Sequence, residues 1–151
     1  MGLFDKIFSP PKSQTSGKNP QVFDSAKEKE LIKEYKPHKG KKNSDEYYSA
    51  LPFIDFYYKF RNLDEKYLNK CIEYCNLCIS CLDSSDMIPF LKEGITIPAF
   101  RKLIIIYENK KDYKKAEETA KLALKYTSAK NKEEAQYYSK KMIDNHKRQF
   151  N

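Results

Sequence analysis

Glycine is scarce in this chain of 151 residues: Gly2, Gly17, Gly40 and Gly94 are the only four, and three of them fall within the first 40 positions. The rest of the chain carries almost none of the punctuation that strand-and-turn folds need, which points to an all-α body. Tryptophan is absent, and nine Phe and twelve Tyr supply the large apolar surface instead. With 40% apolar residues, one domain-sized core can form without staples. No run of about 18 apolar residues occurs, which excludes a membrane span. The basic and apolar regions of a secretory leader are also missing, so the expected location is the cytoplasm, with reduced thiols. Only His38 and His146 are present, and neither is placed to serve a nucleophile and an orienting carboxylate, so a hydrolytic triad is not expected. The lack of a glycine-rich phosphate loop removes the common nucleotide-binding readings.

The net charge of +8 is uneven: residues 1–46 carry +3, residues 47–96 carry −2, and residues 97–151 carry +7. Richness in Lys, Asn, Ile and Tyr is what an AT-rich genome gives, and suggests a bacterial or phage source.

Residues 1–45 read as an N-terminal extension. Leu3, Phe4, Ile7 and Phe8 recur at helical spacing before Ser9-Pro10-Pro11 ends the pattern, and Lys12 to Pro20 is linker-like. This short apolar segment is open to three roles: weak contact with a membrane surface, docking on a partner, or packing on its own chain. Its Gly2 start lacks the Ser or Thr that myristoylation wants, because Lys6 stands there. Asp24 to Tyr35 fits one amphipathic helix, and Lys36 to Ser44, with Pro37 and Gly40, a second linker.

From residue 46 to 151 the pattern is strongly helical. Phe53, Phe56, Tyr57 and Phe60 stand at i, i+3, i+4 and i+7; Leu68, Cys71, Ile72, Cys75, Cys78, Ile79 and Leu82 mark a second amphipathic helix. Met87 to Thr96 reads as a connector with at most one helical turn. Pro98 opens the next helix, with Phe100, Leu103, Ile104 and Tyr107 inward. A further helix begins near Asp112 with Ala116, Ala120 and Ala123 inward, and a last one from Asn131 carries Ala135, Tyr138 and Met142.

These helices repeat. Phe53, Phe56, Tyr57 and Phe60 match Phe100, Leu103, Ile104 and Tyr107 at an offset of 47, and Cys71, Cys75 and Cys78 match Ala116, Ala120 and Ala123 at an offset of 45. The second copy, from Pro98-Ala99-Phe100 through Asp112-Tyr113 to Ala123-Leu124, resembles a tetratricopeptide repeat. That resemblance implies a short array of two tetratricopeptide-like hairpins with a C-terminal capping helix. It also implies a groove lined by the first helix of each hairpin, onto which Arg101, Ile105, Glu108 and Asn109 would face, with Ile54, Tyr58, Arg61 and Asn62 at the equivalent places. A peptide or helix of a partner protein would bind there, as on an adaptor, with Asn amides on peptide backbone and Arg on carboxylates. Two and a half hairpins are few, so the N-terminal segment or a homo-oligomer contact is expected to complete the core.

Two chemical alternatives compete. Cys71, Cys75 and Cys78 have a C-x3-C-x2-C spacing seen at iron–sulfur clusters, but they occupy the alanine positions of the second copy, where a small buried side chain explains the spacing without metal. Thiols in a row on one helix also cannot converge on zinc. No cofactor, metal or catalytic residue is therefore expected. Lysine pairs such as Lys110-Lys111 and Lys140-Lys141 make a basic accessory protein that binds nucleic acid the alternative function. Interleaved Glu117, Glu118, Glu133 and Glu134 favour solvated helix faces instead.

Overall fold

The computed structural model describes residues 21–151, and the apolar segment of Leu3, Phe4, Ile7 and Phe8 lies outside them. Among the described residues all regular structure is helical: α1 (Ser25–Tyr35), α2 (Ser44–Lys59), α3 (Glu65–Ser80), α4 (Ile88–Lys92), α5 (Pro98–Asn109), α6 (Tyr113–Tyr126) and α7 (Lys132–Arg148), with one 3-10 turn at Lys36–His38. None of these helices is long and apolar enough to cross a membrane.

Local sequence explains where the helices start. Asp24, Asn43, Asp64, Asp112 and Asn131 each accept a hydrogen bond from a backbone N–H in the first turn of α1, α2, α3, α6 and α7, satisfying donors that a helix leaves orphaned. Helix α5 starts on Pro98, whose missing N–H costs nothing at that position. Helix α4 amounts to little more than one turn inside the Met87–Thr96 connector.

Helices α2 and α3 form one hairpin and α5 and α6 a second; α3 packs on α5, and α7 lies along α6. Along α3 a stripe of Cys71, Cys75 and Cys78, continued by Cys81, is fully buried, and Ala116, Ala120 and Ala123 make the same stripe on α6. These small side chains let each second helix approach its partner closely, so that Phe53 and Tyr57 on α2, and Phe100 and Leu103 on α5, fill the space between. The Cys71 thiol donates to the Ile54 carbonyl at 3.3 Å. Burial pushes the Cys78 thiol up to about 12 and raises Cys81 as well, so both remain protonated packing groups.

The packed body begins earlier than residue 46, and the structure differs here from what the sequence pattern suggests. Phe23 stacks on Tyr67 with centroids 4.3 Å apart and meets Phe60 edge-on at 5.0 Å. Leu31 and Tyr35 are buried, and the Tyr57 hydroxyl donates to Glu28 at 2.5 Å. The stretch from Lys36 to Ser44 is folded around Glu46, which is 1% exposed. Its carboxylate accepts from the Tyr35 hydroxyl at 2.5 Å, the Gly40 N–H at 2.9 Å and the Lys42 N–H at 2.7 Å. Gly40 sits at φ +82°, a left-handed conformation that glycine adopts without strain. Burial works against the Glu46 charge, but the hydrogen bonds from Tyr35, Gly40 and Lys42 outweigh it and hold the carboxyl below its ordinary range.

Replacing Glu46 with Leu strands a buried hydroxyl and two N–H groups and should cost about 3 kcal/mol in urea unfolding. Because the folded value is depressed, the stabilisation from Glu46 is complete above the unfolded glutamate value near ~4.3 and is lost as pH falls through the folded one. Wild type should therefore lose stability on acidification by more than Glu46→Gln does. Along the stripe, Cys75→Ala should cost about 1 kcal/mol, while Cys75→Leu should cost about 1–3 kcal/mol by overpacking, both read from urea midpoints.

Candidate functional site

Four of the eight expected groove residues come together. Tyr58 at the end of α2, Arg61 and Asn62 in the turn that follows, and Asn109 at the end of α5 line one pocket of about 240 Å³, with Leu68, Ile106 and Lys110. Both asparagines are exposed, and neither side-chain amide has a hydrogen-bond partner among the described residues. The Arg61 guanidinium lies over the Tyr58 ring at 3.9 Å and donates to the Tyr58 carbonyl at 2.7 Å. Lys102 reaches the same ring at 4.0 Å while pairing with Asp55 at 3.1 Å. Two cations thus fix Tyr58 as one wall of the pocket.

The other expected residues are placed differently. Ile54 is 1% exposed and belongs to the core, not to a groove. Arg101 donates through Nε to Glu134 of α7 at 2.9 Å and lies over the Tyr137 ring at 3.8 Å. Glu134 is buried and also accepts from the Tyr138 hydroxyl at 2.9 Å. The hydrogen bond to Glu134 is the main cause of a raised Arg101 value, with burial opposing it. Glu108 accepts from two donors of α7, Lys141 at 3.0 Å and Asn145 at 2.8 Å, and makes a longer ion pair with Arg148 at 3.6 Å. Arg101 and Glu108 therefore dock α7 onto α5, and α7 covers the part of the groove assigned to them. Ile105, 37% exposed, remains on the surface.

The N-terminus of α7 is tied down as well. Asn131 donates to the Gly94 carbonyl at 3.0 Å while capping its own helix, and the far end is held by Gln149 and His146 on Glu117, at 2.5 and 3.1 Å. Sequence reasoning missed Leu68 and Ile106 as pocket residues, since only the approach of the hairpins brings them beside Tyr58. It also missed a larger groove of about 750 Å³ between α1 and α3, because one of its walls lies in a stretch that reads as linker.

The basic helices carry much of their own neutralisation. Lys121 pairs with Glu117, Lys140 with Asp144 and Lys130 with Glu93. No three His, Cys, Asp or Glu side chains among the described residues are grouped as a metal ion requires.

Glu134→Ala leaves Arg101 and the Tyr138 hydroxyl without their shared partner and should cost about 3 kcal/mol. Amide hydrogen exchange should then accelerate in α7 well before it does in α2. Comparison of the chain with family models, with curated proteins and with solved structures finds no match.

Proposed function

We propose that this chain is a non-enzymatic protein-interaction module built from tetratricopeptide-like hairpins, which binds a peptide or helix of a partner protein where the two hairpins meet. The observation that carries the reading is the meeting of Asn62 and Asn109. They occupy equivalent places in the two hairpins, lie on one pocket, and keep their amides free among the described residues. An amide that both donates and accepts matches the backbone of an extended peptide. Beside them Tyr58 offers a rigid aromatic wall, and Ile105 adds exposed apolar surface on the helix that carries Asn109. With Arg101 and Glu108 engaged by α7, the binding surface contracts to Tyr58, Arg61, Asn62, Asn109 and Ile105. Helix α7 acts as the cap of the stack, in keeping with its polar outer face.

The pairing of many C-terminal lysines with neighbouring carboxylates supports a protein partner over nucleic acid, because phosphate binding needs cations with few internal counter-charges.

Affinity capture from native cytoplasm tests the proposal, with the full chain and an Asn62→Ala/Asn109→Ala variant compared side by side. The variant should hold the captured partner about tenfold more weakly or worse, as loss of two hydrogen-bonding groups buried on binding implies. Unchanged affinity would count against the pocket. Retention on duplex DNA that collapses steeply between low and moderate salt would favour the nucleic-acid alternative.

A further inference from the structure

The groove between α1 and α3 shares no residue with the Tyr58 pocket and is about three times its volume. Its floor is apolar: Ile32, Tyr35, Tyr74 and Leu77. Ile32, 45% exposed, adds open apolar surface to that floor. Its rim is cationic: Lys36, Lys39, Lys42 and Lys70 stand against a single lining carboxylate, Glu73. None of the four lysines forms an ion pair among the described residues; the Lys42 ammonium donates only to the Ser80 hydroxyl, at 2.8 Å. The nearby Glu46 charge is taken up by Tyr35 and by two backbone N–H groups.

We propose that this groove docks an acidic amphipathic helix of a partner protein, its apolar side chains resting on Ile32 and Leu77 and its carboxylates reaching Lys36, Lys39 and Lys70. Three features select this occupant. The α3 wall runs from Lys70 to Ser80, about 15 Å at 1.5 Å per residue, which matches about three turns of a helix. The α1 and α3 walls are helices whose backbone groups are internally bonded, and residues 39–42 spend their N–H groups on Lys36, His38 and Glu46, so an extended strand finds no ladder to join and side chains must carry recognition. A flat anionic bilayer reaches the rim lysines but not a floor recessed between two helices. Nucleic acid, for its part, has no use for that floor: Tyr74 is already stacked on Phe53 at 4.2 Å and meets Tyr35 edge-on.

The test uses the full chain and a fluorescent synthetic helix of Leu and Glu with Leu at i, i+3, i+4 and i+7. Two control probes accompany it, one with the same residues in scrambled order and one with Lys replacing Glu. Anisotropy should show saturable binding of the acidic probe at least about tenfold tighter than of either control, weakening as salt rises. The triple variant Lys36→Glu, Lys39→Glu, Lys70→Glu, altered only at exposed or rim positions, should lose about tenfold in affinity, and Leu77→Asp should do the same. Far-UV melting curves confirm that each variant is folded. Asn62→Ala/Asn109→Ala should bind the probe as wild type does, so failure here and failure of the Tyr58 pocket read out separately. The proposal is overturned if the probes bind equally or not at all, or if phosphatidylserine vesicles bind the chain and lose it in the lysine variant. It is also overturned if the probe enters only after Phe4→Asp/Phe8→Asp, which would place the chain's own N-terminal segment in the groove. A doubled mass in solution that Leu77→Asp abolishes would assign the groove to a second copy and overturn the proposal in the same way.

Discussion

Everything in this molecule depends on how closely α3 and α6 approach their neighbours. Each carries a stripe of small side chains, Cys71, Cys75 and Cys78 on one and Ala116, Ala120 and Ala123 on the other, and all six are fully buried. Where the second helix of a hairpin presents so little volume, the first can fill the interface with rings and branched chains in ordinary rotamers. Phe53 stacking on Tyr74, and Phe100 lying between Tyr126 and Tyr138, are products of that approach. Larger residues on the stripe would push the hairpins apart and with them the turn carrying Asn62 and the helix end carrying Asn109.

Polar interactions then close the two ends of the stack. At the start, Glu46 gathers the end of α1 and the following turn onto α2. At the finish, Glu108, Glu134 and Glu117 hold α7 through Lys141, Asn145, Arg101, His146 and Gln149. Buried carboxylates with several donors are strong positional locks. They also leave less of the molecule open to partners: α7 takes Arg101 and Glu108, and the surface that remains divides into the Tyr58 pocket and the lysine-rimmed groove of α1 and α3.

The helices α2, α3, α5, α6 and α7 are legible in the sequence because each has a strong period of 3.6 residues and a recognisable start, and the repeat between copies marks the cysteines as small core positions. What the sequence obscures is non-local. Glu46 looks like a surface residue in the first turn of a helix until Tyr35, Gly40 and Lys42 converge on it, and so the packing of α1 is easily underestimated. Arg101 and Glu108 have the right chemistry for a partner and for α7 alike; only the placement of α7 decides between them. Ile54 stands at a position that is polar in the second copy, and the aliphatic residue itself is the sign that this place is buried.

If the cysteines are inert packing groups at the centre of the hairpin interface, thiol reactivity measures it most directly. With a chromogenic disulfide reagent in excess and increasing denaturant, the four thiols should be protected in the native state and react together at the rate of global unfolding. Fast labelling of Cys71, Cys75 or Cys78 in the absence of denaturant, or protection that disappears when a metal chelator is added, would contradict it.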